Sequence, residues 1–463
     1  MTNVRVAGID VGTSKIKLEV YDGDVVLKKI VVNNDFIIEG NRVEQNPLEL
    51  LAKVKQLIEK AKGYGAKCFG FATYRGSILV WENKSKPVSN IITWMDRRSL
   101  EEYNKLPLKA RILSKLPIIG ATLSPESPMV KLKILSLEKP DILKGLSSGT
   151  MHAWNIDGYL IESLTNKFMS DPSNMGLMGV INPKDLKPIW ITTKLLDLPK
   201  IPIPEPLYHN QTIVTGDINI GPFMGDQQAA NHGLDCLTAG CVRVSMGSGL
   251  FASIIVGGNI KLPTSKGIVP LILYKEEKRG LYGLESYITG LGKAVEWFVE
   301  NLLQGNYSLL DEASTLEGEP PLILPFFWGL RYPRIRKGIA GVVGIEPGYT
   351  IKDIAKGVAH AVAASIAYLL ENLGSAGLKP SRIVLTGGLT RLDNLTRLVA
   401  SYLGREVERS VEPDAPGRGV ARLAAKACGL DEPSPIPTET VEPLENVDLI
   451  EPREIFELAE EMS

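Results

Sequence analysis

Twice in this chain, about 235 residues apart, an apolar strand runs into a short turn of glycine and small hydroxyl residues and back into a second strand. The first unit is VRVAGID (4–10), the turn VGTS and KIKLEVY (15–21); the second is GCVRVSMGSGLFASIIVGG (240–258). The triplet DGD (22–24) turns the first unit into a third strand, VVLKKIVV (25–32), because glycine supplies the positive φ that such turns need. Pro47 then opens a helix, PLELLAKVKQLIEKAK, with Leu48, Leu51, Val54, Leu57, Ile58 and Ala61 expected on its apolar stripe. CFGFAT (68–73) follows as a buried strand. The order β-β-β-α-β implies three antiparallel strands and a helical crossover to a parallel one. Two such starts imply a duplicated α/β architecture, and 463 residues are enough for two large domains or three small ones.

The rest of the chain fits that outline. A Pro-rich stretch, PKIPIPEPLYHN (199–210), precedes the second unit. TIKDIAKGVAHAVAASIAYLLENLG (350–374) is the strongest helix, with Thr350 and Asp353 as a capping box, Gly374 at its end and an apolar stripe from Ile351 to Leu373. It feeds the strand RIVLTGG (382–388) and a further helix from Asp393. After Gly429 the composition turns acidic: residues 431–463 carry 11 acidic groups and one basic, so a formal net charge of −1 hides a basic body and an acidic tail. That tail is either solvated or folded back on the body. A hydrophobic share of 44% with 23% charged residues excludes a disordered or fibrous chain. No nucleic-acid-binding motif is visible, and no run approaches the roughly 18–20 apolar residues of a membrane span. Cys68, Cys236, Cys241 and Cys428 lack CxxC spacing and have only four histidines to join them, which predicts reduced, buried thiols and no zinc site. With no signal-peptide pattern at the start, the expectation is a cytoplasmic protein.

Glycine-rich turns are common, so each is tested by context. GSGLFA (247–252) matches a relaxed dinucleotide pattern, but that pattern needs a following helix and ASIIVGG is strand-like. Gly292-Lys293 lacks the rest of a P-loop. What survives is a hairpin phosphate cradle. In DVGTSKIK (10–17), the backbone around Gly12 can approach phosphate oxygens, Thr13, Ser14 and Lys17 add donors and charge, and Asp10 can hold Mg²⁺ through water. In MGSG (246–249), Gly247 and Gly249 allow the same approach. Either alone is also readable as an ordinary tight turn.

Six segments in order resemble the FGGY carbohydrate kinases of the actin, sugar-kinase and heat-shock superfamily: GIDVGTSKIK (8–17), ITWMDRRS (92–99), GDQQAA (225–230), SMGSG (245–249), FFWGLRYPRIRKGIAGVVGI (326–345) and LTGGLTRLDN (385–394). The resemblance spans residues 4 to about 428. It implies an α/β fold of two ribonuclease-H-like, actin-like ATPase domains around a central cleft: 1–220 with the acceptor and first phosphate loop, 221–430 with the nucleotide, then the tail 431–463. It implies ATP and Mg²⁺ as cofactors and Asp226 as the base at the attacking hydroxyl, with Asp10 and Asp226 facing the metal. Without the resemblance, Asp226 reads equally well as a helix N-cap.

The layout is most similar to glycerol kinases, and carries Arg75, Trp94, Asp226 and Gln227 over as acceptor contacts. Their plain alternatives are a surface arginine and a core tryptophan. Two departures stand out: Gly76 replaces a glutamate of that subfamily, and Glu126 or Ser127 replaces a tyrosine, so a larger polyol or a ketose fits at least as well as glycerol. On the nucleotide side, the resemblance assigns Gly247 and Ser248 to the phosphates, Gly387 and Gly388 to the adenosine, and Gly292 and Glu296 to the adenine. The expected activity is ATP-dependent transfer of the γ-phosphate to a hydroxyl of a small polyol or sugar. A pentulose or other ketose kinase, and a non-catalytic sugar or nucleotide sensor of the same fold, are the alternatives. The implied partner is the small substrate, with no nucleic acid and no membrane; a homodimer is compatible with the chain.

Overall fold

A computed structural model describes residues 4–114, 116, 122–260, 267–330, 338–412 and 414–462. Residues 331–337 of the FFWGLRYPRIRKGIAGVVGI segment therefore lie outside the described residues.

Two mixed sheets share one plan. The first lobe's strands are β1 (Arg5–Val11), β2 (Lys15–Asp22), β3 (Val25–Asn33), β4 (Ala66–Thr73), β5 (Ile213–Thr215) and β6 (Ile218–Gly225), in the order β5-β6-β4-β1-β2-β3. The second lobe's are β7 (Cys241–Met246), β8 (Leu250–Gly257), β9 (Ile268–Lys275), β10 (Gly280–Ile288), β11 (Arg382–Thr386), β12 (Val407–Ser410) and β13 (Thr438–Val441), in the order β9-β10-β8-β7-β11-β12-β13. Around β1 and around β7 the pairing is the same: antiparallel to the next strand in sequence, parallel to a strand reached by a crossover. The duplication expected from the two hairpin units is thus present, with an extra strand at one edge of the second sheet.

Helices cover these sheets. In the first lobe they include α1 (Pro47–Gly63), α2 (Pro128–Glu138) and the single turn α3 (Pro172–Met175). Asn46 caps α1 through its side chain, and the buried stripe is Leu50, Val54, Leu57, Ile58 and Ala61. Leu48 is instead 58% exposed. The expected stripe was out of phase at its start: positions 47, 50, 54, 57 and 61 share one face at 3.6 residues per turn, and 48 does not. α4 (Asp226–Gly233) leads from β6 into the second lobe, which carries α5 (Leu291–Leu302), α6 (Ile351–Gly374) and α7 (Asp393–Leu403). The capping box of Thr350 and Asp353 starts α6 as expected. α6 is long and apolar enough to span a bilayer, but most of it is buried in the second lobe's core, as in a core helix.

α8 (Ala415–Ala427) returns from the second half of the chain to lie on the first sheet. Gly8 makes room for it: a Cβ there would stand 2.0 Å from the Gly417 carbonyl oxygen. β6 runs across residue 220 and α8 covers β1 and β4, so the two halves of the chain interlock in space. The acidic tail is folded back. β13 extends the second sheet, and α9 (Pro452–Glu461) buries Ile455, Phe456 and Ala459. Phe456 stacks on Tyr368 of α6 with ring centroids 3.7 Å apart.

The cysteines correct the sequence expectation. Cys68 on β4 and Cys428 just after α8 form one disulfide, Cys236 and Cys241 another, and none of the four is free. Cys68 and Cys428 are 360 residues apart in sequence but 6.6 Å apart at Cα, within bridging range. Only the docking of α8 brings them together, so spacing along the chain could not show the pair.

Candidate active site

The first turn is held rigidly at its carbonyl side. The Asn34 side chain donates to the Gly12 carbonyl at 3.0 Å, the Asn34 N–H to the Ser14 carbonyl at 2.9 Å, and the Gln45 side chain to the Thr13 carbonyl at 2.7 Å. Trp94 Nε1 donates to Thr13 Oγ1 at 3.0 Å, which joins one expected acceptor residue to the expected phosphate loop. Ser14 stays exposed. Lys17 pairs with Asp414, the residue before α8.

Asp10, near the end of β1, is buried, and among the described residues its Oδ1 has no hydrogen-bond partner. Burial pushes its carboxyl up to about 7; Lys17 opposes this, while Asp226, Asp414 and Glu19 add to it. Among the described residues no group of three or more His, Cys, Asp or Glu side chains is placed to hold a metal by itself. One orphaned carboxylate oxygen with a second carboxylate nearby is a donor set suited to Mg²⁺, which keeps most of its waters and takes further oxygens from phosphate.

Asp226 sits in the first turn of α4, after the cap residue Gly225, so it is not itself the N-cap. Its Oδ1 accepts from the Gln227 N–H at 2.7 Å and lies 3.5 Å from Arg75 Nε. The Arg75 guanidinium also donates from Nη2 to both oxygens of Glu285 at 3.0 Å and from Nη1 to Gln228 Oε1 at 3.4 Å, and lies over the Phe251 ring at 5.6 Å. Arg75 follows β4 in the first lobe while Glu285 and Phe251 stand on β10 and β8 in the second, so this guanidinium bridges the lobes. Burial raises the Asp226 carboxyl above the ordinary aspartate range; Arg75 and Arg243 hold it down and Glu285 pushes it up. Arg75 is therefore no surface arginine. Gln227 is less available than expected: its side-chain oxygen accepts from Arg243 Nη2 at 2.8 Å.

Arg243 and Glu285 escaped the sequence reading. Arg243 is buried in β7, donates to Asn231 Oδ1 at 3.0 Å, and is pushed down to about 10 by burial. Each is a lone charge inside an otherwise apolar strand, CVRVSM or GLYGLESYI, and that pattern was a signal available to be read. Lys131 was missed too. From α2 its ammonium donates to the Gly76 carbonyl at 2.7 Å and the Thr93 carbonyl at 2.9 Å, joining the segments that carry Arg75 and Trp94. Burial pushes it down to about 8, against the pull of Asp96 and Glu126. Close by in sequence, Glu126 Oε2 and Ser127 Oγ are buried with no hydrogen-bond partner among the described residues.

On the other side, three segments distant in sequence meet at the second turn. Ser248 is exposed, and its carbonyl accepts from the Lys293 N–H at 3.1 Å. A Cβ on Gly292 would stand 1.7 Å from the Gly247 carbonyl oxygen, and one on Gly387 would stand 2.6 Å from the Met246 carbonyl oxygen. Gly388 is exposed just beyond. Glu296 lies one turn along α5 and pairs with Lys293 at 2.6 Å.

Comparison with known proteins agrees with this layout. The model of the N-terminal domain of the FGGY family of carbohydrate kinases matches residues 5–226, and that of its C-terminal domain matches residues 243–428. Glycerol kinase 2 of Sulfolobus acidocaldarius is 28% identical over 459 residues, covering 93% of this chain and 90% of the relative. Among solved structures, the glycerol kinase of Plasmodium falciparum with ADP superposes with a TM-score of 0.81 at 20% identity, covering 99% of this chain and 96% of that one. Ligand-bound xylulose kinase from Lactobacillus acidophilus gives 0.83 at 18%, covering 99% and 97%.

Proposed function

The chain belongs to the FGGY family of carbohydrate kinases, phosphotransferases with an alcohol group as acceptor, and from that premise we propose that it moves the γ-phosphate of ATP to a hydroxyl of a small polyol or sugar with Asp226 as the base. The observation that carries this reading is the placement of Asp226: beside Arg75, within electrostatic reach of Asp10, and at the seam between the lobes. Phosphoryl transfer asks mainly for positioning and charge stabilisation. Asp226 accepts the proton of the attacking hydroxyl, and its raised carboxyl makes it a better base than a free aspartate. Arg75 fixes that carboxylate and keeps it ionised. Asp10, with Asp226 near it, would hold Mg²⁺, whose charge offsets that of the phosphates. The exposed Ser14 and Ser248 and the glycine backbones of the two turns receive the phosphate oxygens. Gly387 and Gly388 border the adenosine.

In this reading the acceptor is a polyol or ketose longer than glycerol. Glu126 Oε2 and Ser127 Oγ support this, because buried polar atoms without partners cost stability until a ligand hydroxyl satisfies them. ADP release from ATP and Mg²⁺ over a panel of glycerol, tetritols, pentuloses, hexuloses and heptuloses tests both parts. Turnover should be fastest with a four- or five-carbon acceptor, and Asp226→Asn should lower kcat by about 10³-fold, within the usual range for losing a general base, with ATP affinity retained. Equal ADP release with and without acceptor would mean an ATPase. Asp226→Asn at full rate would remove the base from this reading.

A further inference from the structure

The last shared rung of the first sheet contains Val11, Thr73 and Gly225, side by side on β1, β4 and β6. Immediately past that rung the chain delivers the turn at Gly12, Arg75 and Asp226 respectively. A buried polar cluster on and around α3 closes over two of its three members. Ser173 Oγ accepts from the Gly225 N–H at 2.8 Å, and Asn174 Nδ2 donates to Thr73 Oγ1 at 3.0 Å. Thr73, Asp171, Ser173, Asn174 and His209 are all at most 1% exposed.

We propose that Ser173 and Asn174, oriented by Asp171, are positioning residues that set where Asp226 and Arg75 stand relative to each other. The hydrogen bonding leaves neither side chain a choice. The Ser173 hydroxyl donates to Asp171 Oδ1, so only its lone pairs are left to face Gly225. Both Asn174 amide protons are committed, one to Asp171 Oδ2 at 2.6 Å and one to Thr73, and its oxygen accepts from Asn155 at 2.6 Å. Asp171 also receives the Ser173 and Asn174 N–H groups at 2.8 and 3.2 Å, and His209 Nε2 faces it at 3.4 Å. These donors hold its carboxyl low against the opposing effect of burial. His209 Nδ1 in turn accepts from the Lys275 N–H of β9, which anchors the cluster to the second lobe. With every side-chain donor of Ser173 and Asn174 committed, the cluster fixes one geometry, and an aspartate and arginine 3.5 Å apart are sensitive to shifts of an ångström.

The inference rests on Asp226 being the base, and the test separates the two. Ser173→Ala removes the acceptor for Gly225; kcat should fall by about 10–100-fold with KM for ATP changed less than about threefold, the signature of a misplaced group rather than a lost binding contact. Ser173→Thr keeps the hydroxyl and should restore kcat to within about threefold. Thr73→Val, which removes the other anchor, should lower kcat by about 3–10-fold. If Ser173→Ala does not fold, Ser173→Cys and Thr73→Val carry the test, with calorimetric ATP binding reporting the folded fraction. In an Asp226→Asn background, Ser173→Ala should cost little more, because the group it positions is gone. Full kcat in Ser173→Ala and Thr73→Val overturns the proposal while Asp226→Asn is inactive. Equal losses in Ser173→Ala and Ser173→Thr, following melting temperature alone, also overturn it. An active Asp226→Asn instead defeats the reading beneath it.

Discussion

The two glycine turns occupy matching places in matching sheets and are built by different means. The first works through charge: Asp10 is buried beside it, Lys17 follows it, and side chains from Asn34, Gln45 and Trp94 hold its carbonyls and hydroxyl. The second works through space: Gly247 and Met246 are pressed backbone to backbone by Gly292 and Gly387, with no charged side chain in those contacts. Duplicated architecture thus leaves each copy free to specialise. Under the proposed function, one turn would offer charge to phosphate and Mg²⁺, and the other a close backbone approach to the nucleotide.

Three substitutions test that contrast. The largest effect is expected from Asp10→Asn, which should lower kcat by about 10³-fold while stabilising the free protein. Asp10 titrates near 7 in the fold and near 3.9 unfolded, so between those values the folded state holds a proton that the unfolded state has lost. Its stability contribution is complete below about pH 4 and is lost as pH rises through 7. The melting-temperature gain of Asp10→Asn should therefore be several degrees at pH 8 and close to zero at pH 4; a loss at pH 8 would contradict the buried-charge account. Next comes Gly292→Ala, where one methyl must displace the Gly247 carbonyl. ATP affinity measured by calorimetry should fall by about 100-fold. Unchanged affinity would mean that the second turn is not shaped by space. The smallest effect belongs to Asp414→Asn, which frees Lys17. Its pair is part-exposed, so KM for ATP should fall by no more than about fivefold at low salt, and by nothing at high salt.

Much of the fold was legible because its signals are local. The hairpins at 4–32 and 240–258, the capped helix from Thr350 and the strand before Gly387 all appear where the sequence places them. The candidate site was legible in its parts: Asp10, Arg75, Trp94, Asp226 and the glycines were named from motifs. Their relations were not. Nothing in the sequence pairs Arg75 with Glu285, 210 residues away, or gives the Gln227 side-chain oxygen to Arg243. The buried cluster around Asp171 was invisible because isolated Ser, Asn and Asp residues read as a turn until burial shows that they hold one another.

Two hairpin-led sheets, the positions of their glycine turns and the residue types that bear on phosphate can be read from the order of residues. Those depend on strand periodicity, turn stereochemistry and capping, which act within a few residues. Tertiary structure alone decided that α8 crosses back to the first lobe, that the acidic tail completes the second, and that all four cysteines pair. It also decided which charges face one another across the seam. These outcomes follow from burial and close packing between segments that the chain order does not place side by side: Cys68 and Cys428 are 360 residues apart, and even Cys236 and Cys241, five apart, show no pairing in their spacing.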